Sequence, residues 1–305
     1  MITSVDNLVS SISSGKIHRS DWFYKRSVVS GTTVGASIGV DLSNATGQFG
    51  IRNQFPGTAL TWRTCNDAAG NGTQIFGIPH GGNVSPDKKH IISASAIHPP
   101  VGATTAVPAS GGTLVLVDLQ GYWPGIAHNT TSGQTLLGTP SLRYANGDGC
   151  RLYNVVTTDL GATAHTITIS YRNQLNNTSS TGAIPARVSA TIGQLASSIP
   201  SLSSSLYFPL VNGDTGVRNV NTVTMSATST GVSALCLARP LIHVPLVATQ
   251  FTVNEKEFVY QTPSLPEVKD GACLVWLYFS AIGPASSSLG GIAANFGGHI
   301  ETVWG

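Results

Sequence analysis

Eleven residues, His80-Gly-Gly-Asn-Val-Ser-Pro-Asp-Lys-Lys-His90, hold the densest run of polar functional groups in this chain. Two imidazoles and a carboxylate, at His80, Asp87 and His90, are donor types that ligate transition metals. No further strong ligand stands beside them, and Gly-Gly with Ser-Pro is turn chemistry. Asn83, Ser85 and Asp87 are therefore expected to bond the local backbone. The run reads as a structural loop that holds neither metal nor cofactor.

Other candidate chemistry is sparser. Asn146-Gly-Asp-Gly-Cys-Arg151 and Asn212-Gly-Asp-Thr-Gly-Val-Arg218 repeat an Asn-Gly-Asp turn, a Gly and an Arg ahead of a strand. Neither offers the spaced carboxylates and distal Glu of a calcium loop, whereas Asn-Gly and Asp-Gly readily adopt the positive φ of tight turns. Asp118 ends an apolar run, where a buried acid needs a partner, and a structural arginine is expected. Glycosidase chemistry needs two carboxylates about 5 to 10 Å apart, but the fourteen Asp and Glu are scattered. A P-loop and a G-x-G-x-x-G opening a helix are missing, and the letters Gly35-Ala-Ser37-Ile-Gly39 are followed by no helical pattern that would make them a nucleophile elbow. The expectation is a non-enzymatic protein with no catalytic, cofactor-binding or metal residues.

The four cysteines, Cys65, Cys150, Cys236 and Cys273, form no C-x-x-C pair and have no histidine at zinc-finger spacing. They are expected to be reduced and buried. Sequons at Asn44, Asn71, Asn83, Asn129 and Asn177 are what a chain rich in Asn, Ser and Thr produces by chance.

Charge is scarce: 10% of the 305 residues are Asp, Glu, Lys or Arg, against roughly 25% in a soluble globular protein. The signs nearly cancel at a formal +2, and mean hydropathy is +0.13. A monomer so lightly charged has little electrostatic repulsion to hold copies apart, so self-assembly into a homo-oligomer or lattice is expected. Lys25-Arg26 and Lys88-Lys89 are short basic pairs without interleaved aromatics, which argues against direct nucleic-acid binding. No run reaches the roughly 18 apolar residues of a membrane helix. Met1-Ile2-Thr3-Ser4 opens no signal peptide, so the protein is expected to be left in the cytosol where it is made or released by a route that needs no signal.

The elements that position these groups are mostly strands. Ser4 can cap a helix whose Val5, Leu8, Val9 and Ile12 recur at i, i+3, i+4 and i+7, with Gly15 as the stop. Asp21-Trp22-Phe23-Tyr24 follows as an aromatic anchor. From about residue 30, short β-type runs alternate with Gly, Pro and Asn: Leu114–Val117, Tyr153–Thr157, Thr166–Tyr171, Thr222–Ala227, Ala234–Ala238 and Cys273–Phe279. The fold class expected is all-β: an antiparallel β-sandwich or jelly-roll body with a short N-terminal amphipathic helix and an extended C-terminal arm. The boundaries expected are an N-terminal helical arm at 1–28, a body at 29–283 divisible near 180–205, and a C-terminal arm at 284–305. Low-complexity stretches at Asn176–Gly182 and Ser197–Ser205 read as exposed connections. Val5, Leu8, Val9, Ile12, Trp22, Phe23 and Trp304 are the candidate interface residues.

Several segments together resemble a family of tailed-bacteriophage virion structural proteins. They are His80 to His90, Thr113-Leu-Val-Leu-Val-Asp-Leu119 running on to Trp123-Pro-Gly-Ile, and Leu142-Arg-Tyr with Gly149-Cys-Arg151. Leu160-Gly-Ala-Thr-Ala-His-Thr-Ile-Thr-Ile-Ser-Tyr171, Phe208-Pro-Leu with Gly213-Asp-Thr-Gly-Val-Arg218, and Val303-Trp-Gly305 complete the set. The resemblance spans the chain and implies a place in the virion, with the major capsid protein or other virion proteins as partners. It carries over no catalytic residues. Lacking a long spine helix, the chain suits a capsid-associated decoration or cement protein. The alternatives are a tail, baseplate or neck component, and a lectin-like carbohydrate-binding sandwich, for which Trp22, Trp62, Trp123, Trp276 and Trp304 are too scattered.

Overall fold

The computed structural model describes residues 2, 4–25, 38–41, 46–49, 55–65, 77–97, 112–197, 206–246, 253–259, 265–280 and 295–305. The sequons at Asn44 and Asn71, the stretch 198–205, and residues 26–28 and 284–294 of the expected arms lie outside them.

Helix α1 (Val5–Ser13) begins where expected: the Ser4 hydroxyl accepts the Asn7 N–H at 3.2 Å, and Gly15 at φ 77° follows its end. The strands are β1 (Ile17–Lys25), β2 (Ile38–Asp41), β3 (Thr46–Phe49), β4 (Arg63–Thr64), β5 (Lys89–Ile97) and β6 (Gly112–Ala127). Next come β7 (Gln134–Thr135), β8 (Arg151–Thr158), β9 (Thr166–Asn173), β10 (Thr178–Ser180), β11 (Ile184–Pro185) and β12 (Val217–Met225). The last are β13 (Val232–Leu246), β14 (Asn254–Glu257), β15 (Glu267–Val268), β16 (Leu274–Ser280) and β17 (Asn295–Trp304).

These strands make three sheets, antiparallel except where β3 lies parallel to β1. A terminal sheet runs β14-β5-β17-β1-β3, with β15 also on β5. A central sheet runs β2-β16-β6-β13-β8, with β4 also on β6. A side sheet runs β10-β9-β12-β7, with β11 also on β9. The all-β antiparallel class is as expected.

The termini differ from expectation. Instead of reaching outward as separate arms, β1 and β17 pair antiparallel from Ile17↔Val303 to Lys25↔Asn295, inside the terminal sheet. Strand propensity explains this. Each segment supplies backbone ladder partners to the other, and the pairing brings Trp22 of β1 and Phe296 and Ile300 of β17 into one buried cluster. Across the stretch near 180–205, β9 before it pairs with β12 after it.

The central sheet serves two cores. One half of its long strands packs Leu114, Leu116, Ile242, Val244 and Trp276 against Trp22, Ile91, Phe296 and Ile300 of the terminal sheet. The other half packs Trp123, Ile126, Leu235 and Leu237 against Ile167, Ile169, Tyr171, Val220 and Val223 of the side sheet. The strict alternation of β9 places those three residues inward, as the sequence predicts. A third cluster lies on the residues of opposite parity, Val115, Val117, Tyr153 and Val155, beneath Phe55, Leu195 and Leu206. All four cysteines are buried and reduced.

Asp118 sits at the waist between the two halves. It lies mid-strand rather than at a strand end, and the expected arginine is Arg143: Nε reaches Oδ2 at 3.0 Å and Nη2 reaches Oδ1 at 2.5 Å. Arg143 also donates to Cys65 O at 2.7 Å and Leu119 O at 2.6 Å, while Cys273 N–H donates to Asp118 Oδ1 at 3.1 Å. The two Asn-Gly-Asp turns meet each other. Gly147, at φ 71°, has no room for a side chain, because a Cβ would stand 2.0 Å from Val217 O. Gly149 N–H donates to Thr215 O, and Asp148 bridges Gly216. One turn leads into β8 of the central sheet and the other into β12 of the side sheet, so the repeated motif ties the two sheets at one end.

Removing one member of a buried, hydrogen-bonded ion pair strands the other charge, at a cost of about 3–5 kcal/mol. Asp118→Ala should therefore lower unfolding free energy by about that amount in denaturant titration, whereas the paired Asp118→Leu, Arg143→Met variant should recover much of the loss. Equal instability of single and double variants would show that the waist needs the charges themselves.

Candidate assembly interface

The His80–His90 loop is fastened both to itself, through Lys89, and to the rest of the fold. His80 is buried, with Nε2 3.0 Å from Ala272 O and Nδ1 2.8 Å from Lys89 Nζ. Since the ammonium only donates, Nδ1 accepts, and the Nε2–H donates to Ala272. Asp87 pairs with Lys16 at 2.7 Å, and His90 Nδ1 contacts Leu265 O at 3.3 Å. Asn83 accepts from Gly271 N–H, while Asp270 accepts from the Val84 and Ser85 N–H groups. The expected local backbone bonds of Asn83 and Asp87 are thus replaced by distant partners, because the loop docks on the 269–272 turn. Burial pushes the His90 imidazole below its ordinary value. His80, Asp87 and His90 each face a different partner, and no arrangement of three metal-ligating groups occurs among the described residues.

A cavity of about 450 Å³ opens between Arg143–Asp148, Arg239–Leu241 and Pro266–Lys269. Its cations are already engaged: Arg143 on Asp118, Lys269 on Glu267 at 2.8 Å, and Arg239 on Asp148 O and the Tyr144 ring. That saturation suits a structural junction better than a reaction centre.

The outer face of the terminal sheet has a different character. Cross-strand register aligns two polar rows there. Asp21 lies opposite His299, His299 opposite Ser95, and Ser95 opposite Glu255. In the next row Arg19 faces Glu301, Glu301 faces Ser93, and Ser93 faces Glu257. Ser95 Oγ is 2.7 Å from His299 Nδ1, and Ser93 Oγ donates to Glu301 at 3.0 Å. Arg19 reaches Asp21 at 3.4 Å and Glu301 at 3.6 Å. One arginine thus stands among four carboxylates, on a chain with only fourteen acids. Exposed pairs of this kind contribute about 0–1 kcal/mol to folding, so these rows add little to the stability of the sheet.

Apolar groups flank these rows on both sides. Phe23, opposite Gly297, is 39% exposed. At the other end α1 lies over Val303 and Ile92, burying Leu8. Its Val5, Val9 and Ile12 remain 56%, 55% and 39% exposed. At 3.6 residues per turn, those three occupy an arc about a quarter-turn away from the Leu8–Ser11 side that is buried. Among the described residues, part of the apolar stripe is therefore left without cover.

Of the seven sequence-predicted interface residues, Val5, Val9, Ile12 and Phe23 share this face. Leu8 is the helix anchor. Trp22 is a core residue, 3% exposed, with its ring 5.3 Å from that of Trp276. Trp304 packs over Gly81 and lies 6.0 Å from Lys89 Nζ, within its own chain. Sequence reasoning missed Arg19, Asp21, Glu255, Glu257, His299 and Glu301. They come from three distant strands, and only the register unites them.

No family model and no curated protein matches this chain. Among solved structures, similarity is found to infectious bursal disease virus, Gx strain, at 10% identity and TM-score 0.22, covering 94% of this chain and 80% of that one. The Gt strain structure is 8% identical with TM-score 0.21, covering 94% and 79%. The VP2 subviral particle of the same virus is 9% identical with TM-score 0.18, covering 94% and 80%.

The divided helix separates two effects of mutation. Replacing Val5, Val9 and Ile12 by Ser should weaken self-association at least about tenfold by sedimentation, while leaving unfolding free energy within about 1 kcal/mol of wild type. Leu8→Ala should instead destabilise the monomer by about 2 kcal/mol. Unchanged association in the triple variant would remove this face as the interface.

Proposed function

We propose that this chain is a non-enzymatic structural protein of a tailed-phage virion: a capsid-associated decoration or cement protein that works as a homo-oligomer or lattice member. The observation that carries this reading is the outer face of the terminal sheet, where an uncovered apolar helix stripe, two charged rows and Phe23 adjoin on a charge-poor chain. Such a face, apolar with a polar patch, has the composition of a protein–protein contact. The family resemblance supplies the setting, with the major capsid protein or another virion protein as partner.

Cementing needs many modest contacts rather than one strong one. Repeated contacts on one shell sum through effective concentration, and a rigid face presents its groups without an ordering cost. With β1 and β17 locked in one sheet, bridging falls to this face and not to loose terminal arms.

Particles assembled without the protein should release their genome at lower temperature than wild type, followed by a DNA-binding dye during heating. The Val5, Val9, Ile12 triple variant should behave like the deletion. Unchanged release from heads carrying malformed tails would move the protein to the tail or baseplate.

A further inference from the structure

A buried chain of hydrogen bonds links the central and side sheets. His128 follows β6, His165 precedes β9, and Ser233 lies in β13; they are 0%, 5% and 0% exposed. His128 Nδ1 is 2.8 Å from His165 Nε2, His128 Nε2 is 2.9 Å from Ser233 Oγ, and His165 Nδ1 is 3.0 Å from Thr163 O. The carbonyl can only accept, so His165 carries its proton on Nδ1 and accepts at Nε2. His128 must then donate from Nδ1 and accept at Nε2, which leaves the Ser233 hydroxyl as donor. With neutral rings, every proton position follows from that one carbonyl.

The same residues fix three loops. His128 N–H donates to Gly231 O at 3.1 Å, Ser229 N–H to His128 O at 2.7 Å, and Ala186 N–H to His165 O at 2.8 Å. We propose that the Ser233–His128–His165–Thr163 chain is an acid-operated latch that holds the side sheet to the central sheet when neutral and loosens this end of the junction when protonated.

A proton added at His128 Nε2 reverses the Ser233 bond and leaves a full charge buried. A proton at His165 Nε2 meets the His128 N–H head-on unless His128 reverses as well. No carboxylate among the described residues is bonded to either ring. On the neighbouring elements, Asp159 at the end of β8 gives its carboxylate to Ile192 N–H at 2.9 Å. Arg187, beside Ala186, is a buried cation, and Gln134 of β7 is uncharged and bonded to Ala127. Burial, reinforced by His165, pushes His128 down to about 4. An unfolded histidine titrates near 6.5. The opened state therefore binds more protons between those values, and the latch's contribution is full above about 6.5 and lost as pH falls towards 4.

The test is amide hydrogen exchange on the intact chain at pH 7.5 and 4.5, corrected for intrinsic rates. Protection at His128, Gly161 and Ser229 should fall about 10–100-fold more than at Leu119 and Cys65 of the waist. A His128→Asn, His165→Gln variant should lose that difference. Equal loss everywhere, or a variant with the wild-type pH dependence, would overturn the latch. Should the variant not fold, nitrogen chemical shifts of wild-type imidazoles decide: both rings neutral with Nδ1 protonated at pH 6 supports the proposal, and a charged ring there overturns it. This inference stands independently of the virion reading.

Discussion

Everything in this fold bears on one constraint: a single sheet must line two cores, and the polar waist between them must be satisfied. β6 and β13 run long enough to face the terminal sheet with one half and the side sheet with the other. Their pairing shifts register near Leu237–Ala238 and Pro240–Ile242. Such irregularities leave backbone groups that a regular ladder would have bonded. Arg143 fills that role. Its guanidinium reaches Asp118, Leu119 O and Cys65 O together, while its own N–H is held by Gln120 Oε1 at 2.9 Å. A buried ion pair alone is weak evidence for stability. Here the charges do more, because they also bond main-chain groups of Cys65, Leu119 and Cys273 beside the shift.

The second consequence concerns the chain ends. Pairing β1 with β17 closes the terminal sheet around segments from opposite ends of the sequence, a contact of high loop-closure cost that the shared core repays through Trp22, Phe296 and Ile300. It also turns two expected tethers into one stiff surface. Contacts made from that surface avoid the entropy of ordering a disordered arm.

Local patterns were legible in the residues alone. Ser4 and Gly15 bounded α1, the alternation of Ile167, Ile169 and Tyr171 marked a half-buried strand, and the apolar settings of Cys236 and Cys273 marked buried thiols. Asp118 announced a buried acid in want of an arginine. Each of these rests on interactions between near neighbours or on burial of one side chain, and so is written in short-range spacing.

What joins distant segments was not legible. That Arg143 answers Asp118, that the two Asn-Gly-Asp turns touch, and that Asp21, His299, Ser95 and Glu255 form one row all follow from strand register, which is decided by packing across whole sheets. The same holds for α1: periodicity showed an apolar stripe, but only docking on Val303 and Ile92 decided that Leu8 is buried while Val5, Val9 and Ile12 face outward. The spacing of short apolar runs marked this chain as β-rich, and its composition marked it as poor in charge. Tertiary structure alone decided which residues share a face, because a surface is made of residues that share no sequence neighbourhood.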